Sequence, residues 1–135
     1  MGVSTDAYLI FGIALTDFDE EDYGNLPFAS EVDEDFDDTL VRLAGGKQYP
    51  EEGWLEEKKE IVKACPLSVI SHCHYEYPMW ILGIKATHLT AWRGHPITFD
   101  SLPEVTPEDF MALKEFAEKY DIKGELTWHL CSDWG

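Results

Sequence analysis

Lysine and arginine are scarce, ten in 135 residues, and residues 1–41 contain neither. Against them stand 27 aspartates and glutamates, for a formal net charge of −17. Such a field repels nucleic acid and anionic membrane, so neither is expected as a direct ligand. Long apolar runs are missing too. The longest, Ala7 to Leu15, falls far short of a membrane span. No basic stretch precedes it, which excludes a signal-peptide reading. Met1-Gly2 opens like a myristoylation signal, but Asp6 stands where Ser or Thr is wanted. Cysteine is limited to Cys65, Cys73 and Cys131, an odd count with no framework spacing. Reduced thiols in a cytoplasmic protein are the expectation. There is no G-x-S-x-G, no P-loop and no dinucleotide fingerprint.

What is present argues for a packed fold. Hydrophobic residues make up 44% of the chain, with five tryptophans, and this outweighs the charge as evidence about order. The length suits one domain spanning residues 1–135. The stretch Pro66 to Pro96 holds two of the five tryptophans and four of the five histidines. Its two prolines mark its ends, because neither fits inside a central strand.

Periodicity predicts the elements. Ala7 to Leu15 reads as a buried strand, with Gly12 at a bulge or a close backbone approach. Asp17 to Asn25 is an acidic loop. A helix is expected from Ser30 to Ala44, capped by Ser30 with Asp33 and stopped by Gly45-Gly46. Val32, Phe36, Leu40 and Leu43 share its apolar face. A second helix, Pro50 to Ala64, is expected to bury Trp54, Leu55, Ile61 and Val62. Leu67 to His74, Met79 to Lys85 and Thr87 to Arg93 read as strands, with Tyr75 to Pro78 as a turn. The third helix has Thr106 at its N-cap, Pro107 at its first position and Asp109 completing the box. Phe110, Leu113, Phe116, Ala117 and Tyr120 form its stripe, and Gly124 ends it. Leu126 to Trp134 is the last strand, with Leu126, Trp128, Leu130 and Trp134 on one face. The fold class is therefore α+β, a mostly antiparallel sheet of four to five strands with about three helices packed on it.

Three segments carry a resemblance: Met1-Gly2-Val3-Ser4-Thr5-Asp6-Ala7, then Tyr77-Pro78-Met79-Trp80-Ile81-Leu82 with Arg93-Gly94-His95-Pro96, and Ser132-Asp133-Trp134-Gly135. Together they resemble a family of small hypothetical proteins of tailed bacteriophages. The resemblance implies an accessory protein acting in the bacterial host cytoplasm. It implies no catalytic residues.

The acids before Arg42 are the first functional candidate. There are twelve, among them Asp17, Asp19 and Glu21 in the loop and Glu31, Glu34, Asp35 and Asp38 on one helix face. In an extended loop, alternate carboxylates stand roughly 6–7 Å apart on one side. That can imitate a phosphate backbone, whose charges repeat every ~3.4 Å along a strand. The bland alternative is a solvated helix face whose acids favour the N-terminal dipole. An EF-hand is excluded, since Asp22 takes the Gly position of that loop and Phe28 that of the bidentate Glu.

Histidines supply the second candidate. His72 and His74 are expected on one strand face, as are His129, Cys131 and Asp133. Pairing of the last strand beside Leu67 to His74 would bring His72, His74, His129 and Cys131 together, a donor set suited to zinc. No zinc-finger spacing supports it, and partly buried polar residues are the alternative. A nucleophilic cysteine would need a base and an oxyanion site. Tyr75 and Tyr77 at the turn, with Trp134, form a third candidate as exposed anchors for a protein partner. The remaining tryptophans are expected in the core.

These readings converge on a binding protein whose negative surface mimics DNA and inhibits a host protein with a basic nucleic-acid-binding surface. CRISPR effectors, restriction enzymes and polymerases are the kinds of target that expose one. The alternatives are a metal-dependent enzyme built on the His/Cys cluster and a structural or assembly protein of the virion.

Overall fold

A computed structural model describes residues 5–15, 27–29, 34–74 and 78–134. They form five strands and three α-helices, an α+β fold with a mixed, mostly antiparallel sheet. The described residues group into two compact units. One draws on Met1–Asp17 and Leu67–Gly135, the other on Phe18–Pro66.

The first unit holds the sheet. Its strands are β1 (Thr5–Ala14), β2 (Leu67–His74), β3 (Pro78–Ile84), β4 (Leu89–Ala91) and β5 (Thr127–Trp134). β1 pairs antiparallel with β5 from Thr5↔Trp134 to Gly12↔Thr127. On its other edge β1 changes partner, from β4 at Ala7 to Leu9 to β3 at Gly12 to Ala14. Between the two partners the Phe11 N–H donates to Thr87 Oγ1 at 3.0 Å, and that hydroxyl donates to the Ile84 carbonyl at 2.7 Å. Thr87 is fully buried, and these bonds satisfy it. β2 and β3 form the expected antiparallel hairpin. β2 also meets β5, in parallel, at Cys73↔Asp133 and His74↔Trp134. The pairings β1–β5–β2–β3–β1 thus close a ring.

Close approach of β1 to β3 explains Gly12. A methyl group there would strike the Leu82 carbonyl oxygen and the Gly83 Cα. The expectation of a tight backbone approach at Gly12 holds.

The core lies on both faces of the sheet: Ile13, Leu67, Leu82 and Ile84 are buried on the face toward the third α-helix of the chain, α3 (Pro107–Lys119), and Ile10 and Ile81 on the other. This helix packs against β2 and β3. It contributes Leu113 and Ala117, both buried, and sets Phe110 6.1 Å from Phe11. Thr106 caps it as expected, accepting from the Asp109 N–H at 3.2 Å, with Pro107 at the first turn. It ends at Lys119, before the expected Gly124. Asp121 takes positive φ, 51°, and breaks the helix first.

In β5 Trp128 is half-buried, but beyond it the burial departs from what the pattern suggests. Leu130 is 78% exposed and Trp134 49% exposed, while His129, Cys131 and Asp133 are half-buried. Trp92, also expected in the core, is 61% exposed.

The second unit contains α1 (Phe36–Ala44) and α2 (Trp54–Ala64). α1 begins six residues later than expected, with Asp35 as N-cap accepting from the Asp38 N–H at 2.7 Å. Asp35 has extended backbone, so a helix running unbroken from Ser30 is ruled out. Ser30 to Asp33 lie outside the described residues. Gly45 stops α1 in the left-handed conformation, φ 68°, as expected. Phe28 and Phe36 meet edge-on at 5.3 Å. α2 starts after Gly53 and buries no residue fully, contrary to the expected core of Trp54, Leu55, Ile61 and Val62. A cap-less start and six charged residues among eleven leave it a thin apolar face.

Candidate functional site

The acidic helix start is the first site to build. Of the seven carboxylates proposed for partner binding, Asp17, Asp19, Glu21 and Glu31 lie outside the described residues, as do Tyr75 and Tyr77. Glu34, Asp35 and Asp38 lie together at the N-terminus of α1, and each has work inside the unit. Glu34 Oε1 accepts from Arg42 Nε at 3.1 Å and lies 2.7 Å from Thr39 Oγ1. Arg42 also donates to the Phe28 carbonyl at 2.8 Å, so Glu34 fixes a side chain that ties residue 28 to the helix. Thr39 is fully buried, and its hydroxyl also sits 3.0 Å from the Asp35 carbonyl. Its one proton serves either acceptor in turn. Asp35 caps the helix. Asp38 pairs with Lys58 of α2 at 2.7 Å, and that hydrogen bond, opposed by burial, raises the Lys58 pKa. The charge excess at this helix start is therefore partly neutralised in place. Asp37 is exposed beside it.

The second site is the sheet face opposite α3. β1 sends Tyr8 and Gly12 to it, and register puts Cys131 and Thr127 of β5 beside them, with His129 and Asp133 on the same side. His72 joins this face through its pairing with Met79. The Tyr8 hydroxyl donates to Asp133 Oδ2 at 3.2 Å, and the Tyr8 ring meets His88 edge-on at 5.5 Å. His129 Nε2 lies 3.1 Å from the Gly12 carbonyl. A carbonyl can only accept, so that nitrogen carries the proton. His88 Nε2 lies 3.2 Å from Thr90 Oγ1.

His74 does not join them. Its ring meets Trp134 edge-on at 5.8 Å, on the other face of β5. The expected alternation fails at Cys73, which has a φ of 79°. A positive φ at a non-glycine residue turns the strand, so His72 and His74 point to different faces. Among the described residues no group of three or more His, Cys, Asp or Glu could hold a metal ion. Asp133 shares this face with His129 and Cys131 as expected, and Tyr8 is the member that the sequence pattern of metal ligands leaves out.

No family model matches this chain, no curated protein matches it, and no solved structure matches it.

Burial holds Tyr8, His72, His88 and Cys131 toward their neutral forms. Burial raises the Cys131 thiol pKa, and Asp133 adds to it, so the thiol stays protonated. A nucleophile or a zinc ligand needs the thiolate. Tyr8 is raised as well, by burial first and then by Asp133. Burial lowers His72; Asp133 opposes the shift and His129 adds to it. Burial alone lowers His88.

These histidine shifts predict a pH dependence. Both folded values lie below the ordinary 6.5, so the unfolded chain binds protons that the fold refuses. Stability is then full above pH ~6.5 and is lost as pH falls from there through the folded values. Denaturant titrations at about pH 7.5 and about pH 5.5 should show the loss, and H72Q/H88Q should show less of it. Equal losses in the two proteins would assign the acid sensitivity elsewhere.

Proposed function

We propose that this protein acts by binding, and that its negative surface occupies the basic nucleic-acid-binding groove of a host protein and inhibits it. The observation that carries the reading is charge segregation: twelve acids and no basic residue precede Arg42. Charge needed only for solubility has no reason to collect in one part of a chain. The resemblance to tailed-phage proteins supports a counter-defence role in a bacterial cytoplasm. No helix among the described residues is long and apolar enough to cross a membrane.

Structural work by Glu34, Asp35 and Asp38 decides how the proposal is tested. Replacing them would remove a cap and two ion pairs along with the charge. The informative variant is D17N/D19N/E21Q/E31Q, which leaves those three in place. Immobilised protein is offered a bacterial lysate, and the captured protein is identified, purified and titrated at rising salt. Wild-type association should be fast at low salt and slow as the Debye length shrinks toward ~8 Å. The four-site variant should associate about tenfold more slowly or worse, with a flatter salt dependence, and duplex DNA should compete with wild type. Equal binding by variant and wild type at physiological salt would defeat the mimic reading.

A further inference from the structure

We propose that α2 carries a docking groove for an acidic amphipathic helix of a partner protein. Leu55, Lys58, Lys59, Val62 and Lys63 follow one another at helical spacing on one face of α2. With Asp37 of α1 they line an open groove of about 270 Å³. The three lysines of α2 all fall on this lining, and its three glutamates, Glu56, Glu57 and Glu60, fall outside it. In a chain with ten basic residues in all, three lie on one groove. Leu55 is 42% exposed at its floor.

The chemistry of the lining selects the occupant. Lysine stems are apolar and their ammonium groups reach the rim, so the groove is greasy along its centre and positive at its edge. Lys58 is held by Asp38 at 2.7 Å, whereas Lys59 and Lys63 are exposed and enter no salt bridge among the described residues. A ligand that complements this has apolar side chains at i and i+3 or i+4, flanked by aspartate or glutamate, which is the helix-in-groove mode. The volume is below the roughly 300–1,000 Å³ of pockets that enclose a small molecule, and the groove is open, so it seats side chains rather than a cofactor. The groove borders the acids before Arg42 that carry the nucleic-acid-mimic reading, since Asp37 lines it and Asp38 holds Lys58, but its exposed Lys59 and Lys63 attract partners of the opposite sign.

The test uses the full chain and a fluorescent helical peptide with Leu at i, i+4 and i+7 and Glu between. A scrambled peptide of the same composition, and vesicles of phosphatidylglycerol, run beside it. Wild type should bind the patterned peptide and neither of the others. K59E/K63E should weaken that binding by about tenfold or more with unchanged circular dichroism, since both side chains are exposed. L55S should weaken it without altering its salt dependence. Equal binding of the scrambled peptide, or no effect of K59E/K63E, would overturn the proposal. So would vesicle binding without peptide binding, or self-association that the lysine variants abolish.

Discussion

Gly12→Ala is expected to unfold the protein or to lower its stability by about 3 kcal/mol or more, at or beyond the top of the usual overpacking range. Gly12 is flanked on both edges, by Thr127 of β5 and by Gly83 of β3. The atoms that an added methyl would strike belong to the backbone of Leu82 and Gly83. Backbone cannot rotate aside as a side chain can, so relief requires β1 and β3 to separate. Separation would break the ring of pairings at the contact that joins its ends. Gly45→Ala is the matched control. Nothing lies within reach of a methyl at Gly45, and its cost is the left-handed φ of 68° alone, about 1–2 kcal/mol. Urea denaturation of the two variants separates the effects. A Gly12 variant no less stable than the Gly45 variant would mean that the two strands do not approach as described.

Leu113→Ala should cost about 2–5 kcal/mol. Leu113 is fully buried where α3 packs on the sheet, and its loss leaves a cavity facing residues that strand pairing holds in place. The neighbouring Lys114 is exposed, and Lys114→Ala should change stability by less than ~0.5 kcal/mol. The pair reads the helix register directly, since one step along α3 turns the side chain by about 100°. Similar costs for the two would place the wrong face of α3 against the sheet.

Most elements could be read from local chemistry. Thr106 with Pro107 and Asp109 announces α3, Gly45 stops α1, and Ile13 and Leu82 advertise buried strands. The misreadings arise where a local pattern underdetermines a long-range choice. Alternation in β5 shows two faces but not which of them is covered. α3 reaches Phe11 and packs on β2 and β3, and leaves Leu130 and Trp134 exposed, so the more apolar face of β5 is the more open one. The partnership of Asp38 with Lys58 spans twenty residues, and nothing near Asp38 reveals it. The pattern of Ser30 with Asp33 suggests a cap, and the helix is capped instead by Asp35, five residues on. Of the histidine site, His72, His129 and Cys131 could be read as one face because they obey the period of two. His74 could not be excluded, because the positive φ of Cys73 leaves no mark on residue types.

The long pairing of β1 with β5, from Thr5 to Gly12, has a consequence for how the fold is reached. These strands stand more than a hundred residues apart in the chain, as the bond between Tyr8 and Asp133 illustrates. During synthesis β1 emerges more than a hundred residues before the partner for its longest edge, which leaves the ribosome only after α3. Until then Tyr8 to Phe11 present an apolar strand with an unsatisfied ladder, open to wrong partners. Folding by such non-local contacts is slow. The nascent chain therefore remains vulnerable to aggregation and proteolysis until Thr127 to Trp134 have been made, and mutations that weaken β5 should reduce yield in cells more than they reduce equilibrium stability.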